Sequence, residues 1–162
     1  MEEIKEAELE KYLTNYQAQY QLIKNARYAK GCLKAELIPF IYPFTNEDSD
    51  YVNATQLHLY LSQLTYVLIA KSIIDPDFTM LSKLVNLETY MDKMISRRLF
   101  FAKHEQTMKK VIYKKNLPIS AEMKIISVRV VKSTGFCEVE FNLGIKACYG
   151  KLLLSMKIGT IN

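Results

Sequence analysis

The stretch from residue 53 to 74 constrains this chain more than any other feature. Leu57, Leu59, Leu61, Leu64, Val67, Leu68, Ile69, Ile73 and Ile74 leave no side of a helix polar, and a helix apolar all round is one buried on every side. It must stop before Asp75-Pro76, because proline lacks an amide hydrogen and disfavours helical geometry in the residue ahead of it. His58, Ser62, Gln63, Thr65 and Lys71 interrupt the run, which makes it too polar for a bilayer span and fits the core helix of a soluble protein.

The flanks say what surrounds such a helix. Residues 6–24 carry Leu9, Tyr12, Leu13, Tyr16, Tyr20 and Ile23 at three- and four-residue spacings, which predicts an amphipathic helix with Gly31 marking its exit. Residues 32–42 read as a strand, closed by Pro43 and the polar loop 45–50. Residues 78–95 predict a shorter helix with Leu81, Leu84, Leu87 and Met91 on one side. From Ser96 the pattern turns to β, with strands expected at 97–103, 108–115, 123–132, 136–145 and 149–158. Asn116-Leu117-Pro118 and Ser133-Thr134-Gly135 supply the turn signals. The expected fold is α+β, one domain over residues 1–162, with an antiparallel sheet wrapped around the central helix. This is the hot-dog arrangement; another α+β sandwich or a half-closed barrel are the alternatives.

Composition narrows the chemistry by exclusion. Cys32, Cys137 and Cys148 are odd in number and far apart, and the histidines are His58 and His104, so neither a disulfide framework nor a zinc site is expected. The acidic opening Met1-Glu2-Glu3-Ile4-Lys5 lacks the basic-then-apolar order of an export signal, and a cytoplasmic location is the expectation. Five glycines without a phosphate-cradling loop remove the nucleotide-binding motifs. The net charge of +5 suits an anionic partner: nucleic acid, a membrane surface, the phosphates of coenzyme A or an acidic carrier protein. The basic stretch holding Lys93, Arg97, Arg98, Lys103, Lys109, Lys110, Lys114 and Lys115 reads first as a solvated sheet face, and no nucleic-acid partner is expected.

Two segments carry a resemblance. Tyr28-Ala29-Lys30-Gly31-Cys32, and the run from Tyr51-Val52-Asn53-Ala54 to Ser62-Gln63-Leu64-Thr65-Tyr66, together resemble the FcoT-like family of hot-dog proteins. In that family a Lys-Gly-Cys segment precedes the first strand, and an Asn-Ala helix start leads into Asn-Gln-Leu-x-Tyr. The resemblance implies a homodimer or higher hot-dog oligomer acting on long-chain acyl thioesters of coenzyme A or of an acyl carrier protein. It implies no cofactor beyond the coenzyme A or phosphopantetheine of the substrate itself. Some members instead add glycine to an enoyl group on a carrier. The family's helix-start asparagine matches Asn53, its helix glutamine Gln63, and its loop tyrosine Tyr42 if a short insertion is allowed. Its second helix asparagine falls at Ser62, and its tyrosine before Lys-Gly-Cys stands one residue closer, at Tyr28 rather than Arg27.

Thioester hydrolysis needs donors for the developing oxyanion and a group that positions or deprotonates water. At about 100° per residue, Asn53, Gln56, Tyr60 and Gln63 share one side of the helix, and His58, Ser62 and Thr65 the other. Asn53 reads either as an N-cap or as a substrate donor beside the unpaired amides of the first turn. Tyr42 and Tyr28 are the assisting hydroxyls, and Lys30, Gln56, Ser62 and Gln63 the substrate-binding candidates. Glycine addition would need a carboxylate site, for which Lys30, Arg27 or Arg98 are available. No Asp or Glu stands between residues 51 and 74, so a triad around His58 has no support and hot-dog enzymes with a helix carboxylate are disfavoured.

Overall fold

The computed structural model describes residues 1–39, 50–95 and 99–157. Its elements are β1 (Glu2–Glu3), α1 (Glu6–Tyr12), β2 (Ile23–Ala29), β3 (Cys32–Leu37), α2 (Ala54–Ile74), α3 (Thr79–Ser82), α4 (Leu87–Ile95), β4 (Leu99–Met108), β5 (Ile119–Val131), β6 (Thr134–Leu143) and β7 (Cys148–Lys157). The strands form one antiparallel sheet in the order β1-β2-β3-β5-β6-β7-β4. The fold is thus α+β, with the long helix packed on a seven-stranded sheet.

The central helix occupies the span expected for it. Asn53 is its N-cap and Asp75 its C-cap. Leu57, Leu61, Leu64 and Leu68 are at most 1% exposed, and α2 packs on β2, β3 and β5 while α1, α3 and α4 cover it. By length and mean hydropathy α2 would pass as a membrane span after all, with a mean hydropathy of 1.3 over its best window. With 78% of that window buried inside the protein, it meets protein on nearly every side.

Several expectations are corrected, the strand over 32–42 among them, for β3 ends at Leu37 and residues 40–42 lie outside the described residues. The helix over 6–24 is only the seven residues of α1; Ala18–Tyr20 is a 3₁₀ turn, and Ile23–Ala29 is a strand. A β-bulge between Lys24 and Arg27, with Asn25 at φ 49°, breaks the two-residue period of β2. Its buried residues fall at 23, 26 and 28, a spacing that mimics a helix. Residues 97–103 and 108–115 are not two strands, because β4 runs unbroken through His104-Glu105-Gln106-Thr107. It lies at the sheet edge among the described residues, exposed from Ala102 onward, so no apolar alternation betrays it. Residues 109–118 then leave the ladder, Tyr113 forming an isolated bridge to Tyr51 outside the strands, and end in a 3₁₀ turn and a cis Leu117–Pro118 bond. The helix over 78–95 is two, α3 and α4, because Asn86 caps the second: its Oδ1 accepts from the Thr89 amide at 2.8 Å.

The hairpin signal fell one residue late, for Lys132 and Ser133 form the tight turn between Val131 and Thr134, Lys132 at φ 55°. The face of the sheet away from α2 is charged in alternation. Lys124, Glu140, Lys151 and Glu105 stand side by side across four strands, and Lys151 reaches Glu140 at 3.3 Å and Glu138 at 3.5 Å. At Gly150 a Cβ would overlap the Glu105 carbonyl, so only glycine lets β4 lie this close to β7.

Lys71, in the last turns of α2, is 6% exposed and sits 3.5 Å from Glu8 of α1, which also accepts from the Tyr12 hydroxyl at 3.3 Å. Removing one partner of a buried pair strands the other charge, whereas an apolar replacement of the buried member is close to neutral. Glu8→Ala is therefore expected to cost about 2 kcal/mol of unfolding free energy and Lys71→Met less than about 1 kcal/mol. Urea denaturation measures both, and equal losses would contradict the staple.

Candidate functional site at the start of the buried helix

Residues 50–52 are zipped to residues 112–114: the Val52 amide donates to the Ile112 carbonyl and the Lys114 amide to the Asp50 carbonyl, each at 2.8 Å. This fixes where α2 begins. Asn53 and Gln56 form a capping box, in which Asn53 Oδ1 accepts from the Gln56 amide at 2.9 Å and Gln56 Oε1 from the Asn53 amide at 3.1 Å. The box uses the two side-chain oxygens. The Asn53 amide nitrogen is a donor, and the Ala54 and Thr55 backbone amides have no acceptor within the helix. Asn53 is half-buried while Ala54 and Thr55 are exposed, so solvent reaches this cluster of donors at the positive end of the helix dipole.

Gln63 proves to be a tether. Its Oε1 accepts from the Leu22 amide at 2.8 Å and its Nε2 donates to the Tyr20 carbonyl at 2.7 Å, binding the approach to β2 onto α2. It is fully buried and both ends of its amide are occupied. Tyr60 does a related job, donating to the Ile38 carbonyl at 2.6 Å where β3 ends. Ser62 donates back to the His58 carbonyl at 2.9 Å, a turn earlier on its own helix. Gln56 is fully buried and serves the cap.

Tyr28 and Lys30 lie at the other end. The Tyr28 hydroxyl donates to Ser72 Oγ at 3.1 Å and accepts from the Gly31 amide at 2.8 Å. Burial above all pushes its pKa up to about 12, so it is a neutral donor at physiological pH. From Asn53 to Ser72 the helix rises roughly 28 Å at about 1.5 Å per residue, so one chain does not bring Tyr28 to Asn53. Lys30 is exposed and pairs with Asp77 at 3.8 Å. The Lys-Gly-Cys segment is a hairpin turn, with Lys30 at φ 44° and Gly31 at φ 75°. A side chain at Gly31 would also collide with the Phe78 ring. Arg27 is exposed on β2; Tyr42 and Arg98 lie outside the described residues.

A pairing that the linear sequence does not show is that of the two histidines. The His58 ring stands 6.1 Å from that of His104 and 5.0 Å from that of Phe101. Partial burial, then His58, lowers the pKa of His104. The signal is absent from the sequence because β4 reaches α2 only through its place at the far edge of the sheet. Further along α2, Ile69, Leu81, Leu84, Val128, Cys137 and Leu154 line an apolar slot of about 20 Å³. Burial raises the pKa of all three thiols and pushes that of Cys137 up to about 12, which lowers their thiolate share. Among the described residues no group of three or more histidine, cysteine or acidic side chains is placed to hold a metal ion.

Gln63→Ala is expected to strand the Leu22 amide and the Tyr20 carbonyl and to cost about 2–3 kcal/mol. Chemical denaturation tests the tether, and a loss below about 0.5 kcal/mol, the scale of an ordinary surface change, would refute it.

Comparison of the chain with models of known protein families gave no match, and comparison with curated proteins gave none either.

Proposed function

We propose that this chain is a hot-dog protein of FcoT-like type that binds long-chain acyl thioesters of coenzyme A or an acyl carrier and hydrolyses them. The observation that carries the reading is the helix start: three hydrogen-bond donors, Asn53 Nδ2 and the Ala54 and Thr55 amides, at the solvent-reached end of a helix most of whose residues are buried. Such donors suit a carbonyl oxygen that becomes an oxyanion. Sheet topology supports the fold reading, because the strand before α2 and the strand after α4 lie on opposite sides of β5-β6-β7, which makes the sheet span the helix.

In this mechanism water attacks the thioester carbonyl carbon. The oxyanion forms against Asn53 and the first-turn amides, then collapses to the carboxylic acid as the thiolate leaves and takes up a proton. The proton that the attacking water loses is the one the departing thiolate takes up, carried by the solvent that reaches the helix start. A second copy completes the assembly: β4 presents ten residues of edge strand exposed on both faces over most of its length, a surface that pairs with its like. The three free cysteines suit the reducing cytoplasm, and no cofactor is needed beyond the carrier portion of the substrate.

Ser62 favours one further reading. Its hydroxyl is turned back onto the His58 carbonyl where the family has an asparagine, so one donor is lost, and the chain would then be an acyl-CoA sensor that binds without turnover.

Thiol release from palmitoyl-CoA separates the two. Asn53→Ser keeps a capping oxygen and removes the amide nitrogen, and it is expected to cut turnover by about 100-fold, the scale of one lost oxyanion donor, at nearly unchanged Tm. Undiminished turnover in Asn53→Ser would end its role. Binding without release in the wild type would establish the sensor, and neither binding nor release would end the acyl thioester reading.

A further inference from the structure

At the end of β4 the chain folds over a corner of the sheet. The Lys109 and Lys110 amides both donate to the Ala147 carbonyl, at 2.8 and 3.2 Å, which holds residues 109–118 against the turn between β6 and β7. Between the two segments lies an open apolar hollow of about 350 Å³ whose lining includes Val111, Pro118, Ile119 and Ile145. Lys110 lines it, Lys109, Lys114, Lys115 and Lys146 belong to the same two segments, with Lys109 over the Tyr149 ring and Lys115 over the Tyr113 ring, and neither 108–118 nor 143–149 contains an Asp or Glu. Among the described residues Asp50, whose carbonyl accepts from the Lys114 amide, is an acid beside it.

The tip of this corner is costly to the isolated fold in two ways. Ile145 is 86% exposed, and its backbone sits in the left-handed region at φ 53°, between Gly144 at 59° and Lys146 at 63°. A β-branched residue is poorly suited to that conformation, and an isoleucine in water forgoes its transfer free energy. Val111 is 52% exposed, and Tyr51 and Tyr113, joined by a backbone bridge, are 50% and 43% exposed. Exposed aliphatic side chains, exposed tyrosines and lysines within two adjoining segments are the residue types that an anionic bilayer surface takes up at its acyl boundary, headgroup level and phosphates. A soluble polyanion would engage the lysines but leave Ile145 in water.

We propose that this corner docks on anionic membrane surfaces, with Ile145 and Val111 entering the acyl boundary and Lys109, Lys110 and Lys146 meeting the lipid phosphates. Docking is peripheral and reversible, and it stands apart from the thioester reading. The full chain is sedimented with vesicles of phosphatidylcholine alone, or of phosphatidylcholine with about one-third phosphatidylserine. Binding is expected with the anionic vesicles only, and it weakens as salt rises. Each Lys→Gln at 109, 110 or 146 should reduce it roughly fivefold. Ile145→Asn, which suits the left-handed backbone, should lower vesicle binding about fivefold or more while Tm holds or rises. Equal binding to neutral vesicles, full binding by Ile145→Asn, or retention on heparin without vesicle binding would each overturn the proposal, the last assigning the lysines to a soluble polyanion.

Discussion

Burial of α2 on every side is the constraint from which the remaining arrangement follows. A helix without a polar side must be walled by other elements all the way round, and here the sheet takes one side while α1, α3 and α4 take the rest. Leu57, Leu61, Leu64 and Leu68 contribute about 2 kcal/mol each by leaving water, but the polar groups in the same helix make the packing specific. Gln63 holds Tyr20 and Leu22, Tyr60 holds Ile38, Ser72 meets Tyr28, and Lys71 meets Glu8. A buried polar group without a partner costs about 1–3 kcal/mol, so each of these contacts fixes one neighbouring segment in one place. The apolar side chains drive collapse, and the polar ones select its geometry.

The same constraint sorts candidate chemistry by position along the helix. In the middle of α2 the polar atoms are engaged with the fold, Gln63 with Leu22 and Tyr20 and Ser62 with the His58 carbonyl. Donors aimed outward arise where the helix begins, since its first amides have no acceptor within the helix. Tyr28 sits at the opposite end with its hydroxyl engaged by Ser72 and Gly31. A site that used both ends would have to be built from two chains.

Legibility in the sequence followed the strength of the local signal. The limits of α2 were readable almost to the residue, because an all-round apolar run bounded by Asn53 and Asp75-Pro76 admits few alternatives. β5, β6 and β7 were readable because their buried and solvated faces alternate. The helix expectation overran α1 because Tyr16, Tyr20 and Ile23 keep its three- and four-residue spacing across the 3₁₀ turn and into β2, and β4 is hidden because a solvated edge carries no pattern. At the site, the cap at Asn53 could be read from local sequence, being a local contact of three residues. The partners of Gln63 lie 41 and 43 residues away, a separation that no local rule reaches, and the His58–His104 pairing depends on strand order.

The segments that depart most from what the fold alone favours lie close together. The exposed edge of β4 ends at Met108 and runs into the basic corner, and residues 112–114 of that corner are hydrogen-bonded to residues 50–52 just ahead of Asn53. The backbone that sets the helix start is therefore continuous with the backbone that carries Val111 and the lysines. A chain docked by this corner would hold the start of α2 near the lipid surface, where long acyl chains partition. It would also couple the two regions mechanically, because displacement of 109–118 cannot leave the Val52–Ile112 and Asp50–Lys114 hydrogen bonds undisturbed. The position of the Asn53 cap is thus set from both sides, by the buried body of α2 behind it and by the corner segment in front.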